Sequence, residues 1–467
     1  MLLSAVAGGL FLVPAALAGT DLPAGCRDFD KGIRIELCTR FLNSEGLADA
    51  ARSEALLLRG EAFESADDLQ QAINDYSASI ELGGDGAFIY TRRAKCLEKL
   101  GRFDEAIADL DQALSFNPDD AAILEKRGVV FGRAEKFGRA LADFNRAIAL
   151  NPEQASAYSN RGNLWLHLED YEASLVDTKK ALELDPNIRE AIGNRGAALI
   201  ALGDYDAGLR DLDEALIRDP AFAKSYIWRG QAYAAKGMNR RALEDFEVAI
   251  ALDPKSASAH SKRGLTCSHL SIWRCAIDSY DQADALGFHD PAHFYNRGIA
   301  HAALGHYELA ADDFDRAISL HPDDSDAYLR RGDANCKLGK TRACAADFAA
   351  ALDHAQDRAS ILEARSYFLF DNGRDADAIA DLKAAVALSP ADASIVQAMG
   401  DGYYRVGQVE EAKGQWRTAC DLSGEGAVKS WQQSLKEQGF YSDDIDGKCG
   451  GGIIDAFAAC AAAECSF

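Results

Sequence analysis

The 467-residue sequence has few of the features that mark membrane-spanning, disordered or nucleic-acid-binding proteins. Beyond residue 18 no apolar stretch is long enough to span a membrane, and no long tract of Ser, Pro or Gln indicates disorder. Basic residues are outnumbered, with 50 Lys and Arg against 74 Asp and Glu, and the net charge is −24. Nucleic acid and anionic lipid are therefore poor partners, and a polypeptide partner fits better.

The first residues have the character of an export signal. Residues 2–18 are uncharged and apolar and end in Ala16-Leu17-Ala18, a small-x-small site of the kind that signal peptidase cuts. No Lys or Arg stands directly after Met1, so an uncleaved anchor or a misassigned start is the alternative. We expect a signal peptide over 1–18, cleavage after Ala18, and a periplasmic or secreted mature protein with no membrane segment.

A strict internal period runs through most of the chain. Arg recurs at a constant interval, and one further step of the same length falls on Met399; the positions are Arg59, Arg93, Arg127, Arg161, Arg195, Arg229, Arg263, Arg297, Arg331 and Arg365. A small residue, usually Gly, follows each Arg, and a second small residue such as Ala72 or Ala106 stands twelve residues after that one. Two facing small positions let two helices pack closely, so we expect another backbone to approach each Gly.

Turn residues divide each period into two helices. A Gly between the two small positions is expected to end the first helix in a left-handed cap, at residues 101, 203, 237, 305, 339, 373 and 407. A Pro is expected to stop the second helix, at residues 118, 152, 186, 220, 254, 322 and 390. Each period is therefore predicted to be a helix, a turn and a helix.

The order aromatic, small, aromatic, Ala, aromatic, Ala, Pro at this period resembles the tetratricopeptide repeat. The resemblance covers 53–426 and gives eleven repeats, which begin at 53, 87, 121, 155, 189, 223, 257, 291, 325, 359 and 393. It implies an all-α, right-handed superhelical solenoid of antiparallel helix hairpins. No nucleophile, base and orienting group recur together, so we expect a non-enzymatic scaffold or adaptor without cofactor or metal.

One departure from the family pattern is informative. The Leu that normally precedes the small Gly is Arg here, and an Asp recurs in the second helix, at residues 75, 109, 143, 177, 211, 245, 313, 347 and 381. We predict an Arg–Asp ion pair in successive repeats. Its role is expected to be structural.

The family resemblance also locates a binding surface, since the first helix of each repeat lines the concave face. Across 155–324 the thirty positions on that face include one acid, Glu190. Amide side chains there can pair with a peptide backbone, and aromatic residues can anchor a partner, although Asn also suits a solvated helix face. The predicted groove residues are Asn160, Asn163, Asn194, Lys224, Trp228, Gln231, Lys262, Tyr295 and Asn296.

Some family members clamp a C-terminal carboxylate on this face. Asn163, Asn194 and Lys224 match three of the five clamp positions. Ser159 and Trp228 stand where the clamp has Lys and Arg, so most of its positive charge is missing. We do not expect capture of a carboxylate.

Eleven cysteines in an exported chain predict disulfides. Cys26 and Cys38 are expected to staple an N-terminal helical cap over 19–52, and Cys267–Cys275 and Cys336–Cys344 to join the two helices of one hairpin each. Cys420, Cys449, Cys460 and Cys465 allow two bridges in three ways. Cys96 has no nearby mate and is expected to be buried. His269 lies near two of these cysteines, but the spacing is not that of a metal site.

Residues 427–467 leave the period and resemble the peptidoglycan-binding fold of cell-wall enzymes. The matching residues are Trp431, Gln432, Leu435, Gly439, Phe440, Tyr441, Ile445, Asp446, Gly447, Gly450 and Ala456. Two interpretations stay open: this module binds peptidoglycan, or it is a disulfide-locked cap. The predicted function is a scaffold that binds protein or peptide partners, and the alternative is a cell-wall-associated tethering factor.

Overall fold

The computed structural model describes residues 26–27, 31–84 and 86–463. This part of the chain is all-helical, which confirms the predicted fold class. The signal peptide predicted over 1–18 lies outside the described residues. The helices are α1 Lys31–Leu42, α2 Asp49–Ser65, α3 Leu69–Glu81, α4 Ala87–Lys99, α5 Phe103–Phe116, α6 Ala121–Arg133, α7 Phe137–Leu150, α8 Ala155–His167, α9 Tyr171–Leu184, α10 Arg189–Ala201, α11 Tyr205–Arg218, α12 Ala223–Ala235, α13 Asn239–Leu252, α14 Ala257–His269, α15 Trp273–Ala285, α16 Pro291–Ala303, α17 Tyr307–Leu320, α18 Ser325–Lys337, α19 Thr341–His354, α20 Arg358–Asp371, α21 Asp375–Leu388, α22 Ala393–Arg405, α23 Val409–Leu422, α24 Glu425–Glu437 and α25 Gly451–Ala462.

The first helices start where the period places them. The even-numbered helices from α4 to α18 begin at the residue predicted to open each repeat, and so does α22. The exceptions are α2, which begins at Asp49 instead of 53, and α20, which begins at Arg358 instead of 359. Helix α1 lies within the N-terminal helical cap predicted over 19–52. After the last repeat, the described chain holds two further helices, α24 and α25.

The two helices of a repeat are antiparallel, as the contacts between α2 and α3 illustrate. The Ser53 hydroxyl lies 2.8 Å from the Ser79 hydroxyl, Arg59 pairs with Asp75, and the Tyr76 hydroxyl donates to Glu64 at 3.0 Å. The sequence separation between contacting residues falls from 26 to 16 to 12 toward the turn, as it does in an antiparallel pair. Consecutive helices therefore form hairpins.

The predicted turn chemistry is confirmed. The turn glycines have positive φ, from 68° at Gly373 to 85° at Gly203, which is the left-handed conformation that glycine adopts without steric penalty. In repeats without this Gly, a non-glycine residue takes the same conformation, as Glu135 does at 57°. Each Pro predicted to stop a second helix stands two residues after the last helical residue, as Pro118 does after Phe116.

The small residue after each Arg makes room mainly for a side chain. A Cβ added to Gly128 would lie 2.8 Å from the Phe144 ring, and one added to Gly298 would lie 2.8 Å from the Phe314 ring. The expected close approach of another backbone is therefore wrong for these repeats. It holds in the fifth repeat, where both facing positions are Gly and a Cβ on Gly208 would lie 2.9 Å from the Gly196 carbonyl oxygen.

The predicted Arg–Asp ion pairs are confirmed in eight repeats. In each, the guanidinium donates to a nearly buried carboxylate sixteen residues later, as Arg93 Nε does to Asp109 Oδ2 at 2.8 Å and Arg297 Nε to Asp313 Oδ2 at 2.9 Å. The pairs are Arg59–Asp75, Arg93–Asp109, Arg127–Asp143, Arg161–Asp177, Arg195–Asp211, Arg297–Asp313, Arg331–Asp347 and Arg365–Asp381. In the seventh repeat Arg263 donates to the Ser279 hydroxyl instead, at 2.8 Å.

Some of these arginines also join neighbouring repeats, which the sequence did not predict. Arg127 Nη1 donates to Asp111 at 2.6 Å, and Asp111 lies on α5, the second helix of the preceding repeat. Arg161 reaches Asn145 on α7 in the same way, at 2.6 Å. Each of these two guanidinium groups thus bridges three helices.

Four disulfides are present in the described residues. Cys26–Cys38, Cys267–Cys275 and Cys336–Cys344 are paired as predicted, and Cys420 pairs with Cys449. Of the two remaining candidates, Cys460 is fully buried, and Cys465 lies outside the described residues. Cys96 is unpaired and buried, as expected. Because Cys267 and Cys275 are bonded to each other, they supply no thiolate to a metal beside His269.

The chain divides into two compact bodies at the boundary between Lys236 and Gly237. We call them the N-terminal body and the C-terminal body. In the C-terminal body, the described residues after the last repeat, 427–463, pack on the last hairpin, and we call them the end segment. Val428 and Phe457 share one apolar core with Trp416 of α23. Among the helices described, none is both long and apolar enough to cross a membrane.

Candidate partner-binding surface

An open cleft of 420 Å³ lies on the N-terminal body and contains three predicted groove residues. Asn160, Asn163 and Lys224 line it, from the first helices of the fourth and sixth repeats. We call it the N-terminal cleft. Its full lining is Gly128, Val129, Gly132, Arg133, Glu135, Phe137, Phe144, Asn160, Asn163, Leu164, His167 and Lys224.

The N-terminal cleft has an apolar floor and a polar edge. Phe144 and Leu164 are buried at its base. At the edge, Asn160 donates to Glu125 at 2.7 Å, so a carboxylate of the third repeat lies beside a surface that is nearly free of acids in later repeats. Burial, together with the nearby Lys224 ammonium, lowers the pKa of His167, which favours its neutral form. The cleft can therefore bury apolar groups and exchange hydrogen bonds with a polar backbone.

The other groove residues of the N-terminal body have different environments. Asn194 is 8% exposed, too little for a large contact area. Trp228 is half-buried and packs beside Ile200 and Leu212, so much of its ring serves the core. Gln231 is half-buried on the same helix as Trp228, α12.

The three groove residues of the C-terminal body are half-buried on first helices. Burial lowers the pKa of Lys262. The Tyr295 ring packs on Phe314 with 5.8 Å between ring centroids. Asn296 lies next to Tyr295 on α16. Their contact with a partner stays a prediction.

A second cleft, of 480 Å³, lies on the C-terminal body and contains none of the predicted groove residues. We call it the C-terminal cleft. Its lining is Ile299, Ala302, Tyr307, Phe314, Arg330, Asp333, Ala334, Cys336, Lys337, Phe348, Ala364, Tyr367, Phe368, Asp371 and Asn372. Asp333 and Tyr367 occupy the same place in their repeats as Asn163 does in the fourth. Their position within the repeat would therefore have identified both residues, but the predicted groove covered only 155–324, which excludes repeats nine to eleven.

Asp401, which neighbours Tyr367, carries an unusual carboxyl group. Burial raises its pKa to about 6, although Trp416 Nε1 donates to it at 2.7 Å. A carboxyl whose pKa is higher in the folded than in the unfolded chain destabilises the fold as the pH rises through that interval. The ionised Asp401 therefore opposes folding at neutral pH.

We expect Asp401→Asn to raise the free energy of unfolding at neutral pH by about 2 kcal/mol, since the amide keeps an acceptor for Trp416 and removes a buried charge. The gain should fade as the pH falls below the ordinary carboxyl range, where the native side chain is neutral. Urea unfolding of both proteins across this range measures the difference. An equal gain at all pH values would contradict the assignment.

The motif residues of the end segment are used in its own fold. Gln432 is fully buried, and its amide nitrogen donates to the Tyr441 hydroxyl at 3.1 Å and to Asp446 at 2.9 Å. Its amide oxygen accepts from the Gly447 backbone at 2.8 Å. Leu435 is buried, Ile445 is half-buried, and Trp431 packs on Phe457. Gly439 and Gly447 have positive φ, and Gly450 directly precedes α25. The motif therefore explains the local fold without a ligand.

Consecutive helical hairpins of constant length make up most of the described chain. Two profiles of the tetratricopeptide repeat match the sequence, one over 87–120, 155–188 and 291–324 and the other over 194–257 and 336–393. The matched segments therefore have the sequence pattern of the tetratricopeptide repeat.

Several solved structures are similar to the chain. A tetratricopeptide repeat protein from Parabacteroides merdae ATCC 43184 is 23% identical over 56% of this chain and 98% of its own, with a TM-score of 0.43. The APC/C hetero-tetramer Cut9-Hcn1 is 16% identical over 84% and 90%, with a TM-score of 0.43. YrrB, described as having an unusual peptide-binding site, is 24% identical over 38% and 92%, with a TM-score of 0.30. No curated protein matches the chain.

Proposed function

We propose that the chain is a non-enzymatic scaffold that binds protein or peptide partners on the surface formed by its first helices. The observation that carries this proposal is the N-terminal cleft, where Asn160, Asn163 and Lys224 come together although they belong to different repeats. Amide groups above an apolar floor suit an extended peptide, whose backbone both donates and accepts hydrogen bonds. Tetratricopeptide repeats generally bind protein or peptide partners.

We further propose that the scaffold acts outside the cytoplasm, in the periplasm or after secretion. The apolar segment over 1–18 and four disulfides support this location, because disulfides persist mainly in oxidising compartments. Sequencing the N terminus of the mature protein tests it. We expect the first residue to be Gly19; an N terminus still at Met1 in the exported fraction would contradict cleavage.

Peptidoglycan tethering through the end segment stays the alternative. Sedimentation of the full chain with purified peptidoglycan tests it directly. The scaffold proposal expects the chain to stay in the supernatant, and the tethering proposal expects it in the pellet.

Blocking the N-terminal cleft should weaken partner binding without harming the fold. Gly132 lines the cleft, and a Cβ added there meets no atom within 4 Å. We expect Gly132→Phe to fill the cleft and weaken partner binding by roughly tenfold or more, the loss of an apolar contact of about 1.4 kcal/mol. Capture of partners from the native exported fraction, with the full chain as bait, measures the change.

Gly138→Phe is the matched control. Gly138 is also a helical glycine with no atom within 4 Å of an added Cβ, but it lies on a second helix, α7, outside the cleft. This variant should capture the same partners as the native chain. Equal capture by both variants would show that the N-terminal cleft is not the binding site.

A further inference from the structure

The C-terminal cleft has an apolar interior that opens beside an exposed aromatic ring. Phe314 and Phe348 are buried at its base, and Tyr367 is 46% exposed at its edge. The volume of 480 Å³ is enough for one large apolar side chain of a partner. Tyr367 leaves a ring face available to a cation.

Two carboxylates beside Tyr367 have no cationic partner. Glu363 lies four residues before Tyr367 on α20. Burial raises the pKa of the Tyr367 hydroxyl, and the nearby carboxyl groups of Glu363 and Asp401 raise it further. Within the described residues, no Lys or Arg is among the groups that act on the carboxyl of Glu363 or Asp401. Burial raises the pKa of Glu363, and the neighbouring acids Asp392 and Asp357 raise it further.

The Arg and Lys side chains near the C-terminal cleft lie beside other carboxylates. Arg405 pairs with Asp371 at 3.1 Å, and Arg330 lies 4.0 Å from Asp333. Lys337 lies near Asp333 and stabilises its ionised form. Uncompensated negative charge therefore remains at Glu363 and Asp401, and a charge supplied from outside would neutralise it.

We propose that the C-terminal cleft binds a polypeptide segment that presents an Arg or Lys next to a large apolar residue. The cationic group would lie over Tyr367 between Glu363 and Asp401, and the apolar side chain would enter the cleft. This inference rests on the proposed scaffold function only in taking the ligand to be a polypeptide. It assigns the C-terminal body a partner chemistry different from that of the N-terminal cleft.

The test uses a panel of short capped peptides with a central Arg or Lys flanked by Leu and Phe, and a second panel with Gln in the central position. Fluorescence anisotropy with the full chain at neutral pH measures binding. We expect the cationic peptides to bind roughly tenfold more tightly than their Gln counterparts. No preference for the cationic panel would overturn the proposal.

A pair of variants locates the effect. Glu363→Gln with Asp401→Asn should remove the preference for the cationic peptides, and Asp401→Asn is expected to stabilise the fold, so the loss cannot come from unfolding. Asp312→Asn with Asp353→Asn makes the same charge change at exposed positions on second helices and should keep the preference. Retention of the preference by the first variant would overturn the assignment.

The pH dependence is a further readout. A bound cation requires ionised carboxylates, so the affinity of the native chain for the cationic panel should fall as the pH drops through about 6, where Asp401 becomes protonated. The Gln panel should not change. A pH-independent preference would overturn the role of Asp401.

Gly132→Phe should leave binding of both panels unchanged, which separates this site from the N-terminal cleft.

Discussion

Arg297→Ala is expected to lower the free energy of unfolding of the eighth repeat by about 3 kcal/mol. Arg297 is 6% exposed, and its guanidinium donates to Asp313, Asp281 and Asp284. Its removal leaves the buried Asp313 carboxylate, which is 5% exposed, without an arginine partner and with only the His301 ring nearby, at 3.9 Å. Hydrogen exchange of α16 and α17, together with urea unfolding, measures the loss, because repeat arrays unfold locally.

Arg263→Ala in the seventh repeat is the natural control. Arg263 donates to a neutral hydroxyl, and Ser279 keeps a second hydrogen bond to the Cys275 carbonyl at 2.6 Å when the guanidinium is absent. We expect a loss of about 1 kcal/mol, that of one ordinary hydrogen bond. Equal losses for the two variants would contradict the view that an unpaired buried charge dominates the cost.

Removal of the Cys420–Cys449 disulfide should have the second large effect. The two cysteines are 29 residues apart, and the bond ties α23 to the loop before α25. The chain-entropy relation gives a loss of about 3–4 kcal/mol for a loop of this length. Cys420→Ser with Cys449→Ser should therefore loosen the end segment, and hydrogen exchange in α24 and α25 should rise while α20 and α21 stay protected.

Cys336→Ser with Cys344→Ser is the control for that measurement. This bridge closes only 8 residues within one hairpin, so the same relation gives about 2.5 kcal/mol, and the change should be confined to the ninth repeat. If protection of α24 and α25 were unchanged by loss of Cys420–Cys449, this bond would not be what holds the end segment in place.

The fold was largely predictable because a single period runs from Arg59 to Met399 without insertion. The spacing alone placed Arg59 opposite Asp75, since residues at these two positions face each other across a hairpin. Contacts between repeats were not predicted, although a sequence signal for them recurs. Arg127 binds Asp111 and Arg161 binds Asn145, each sixteen residues earlier. An Asp with the same spacing accepts from Arg229, Arg297 and Arg331.

The close packing of helices was predicted, but its cause was not. The small residue after each Arg indicated that another group packs closely against it. The spacing does not show whether that group is a backbone or a side chain such as the Phe144 ring, which lies opposite Gly128. Likewise, four cysteines near the C terminus gave three possible pairings. The choice of Cys449 for Cys420 depends on how the end segment packs against α23, a long-range contact that spacing does not encode.

The lining of the two clefts was predicted in part. The assignment of a face to first helices brought Asn163 and Lys224 into one cleft, although they belong to the fourth and the sixth repeat. Arg133 was missed because the third repeat was excluded, and Tyr367 because a scarcity of acids was used as the criterion. A surface that carries acids was therefore overlooked.

Site-specific photo-crosslinking distinguishes first helices from second helices as the surface that binds a polypeptide. A crosslinking residue is placed at Asn163 or Gln231 on first helices, and at Val176 or Ile217, which are 68% and 82% exposed on second helices. We expect polypeptide adducts from the first pair and none from the second when the full chain is irradiated in its native compartment. Adducts that form equally from both pairs, or only from Val176 and Ile217, would show that partners bind elsewhere than on the first helices.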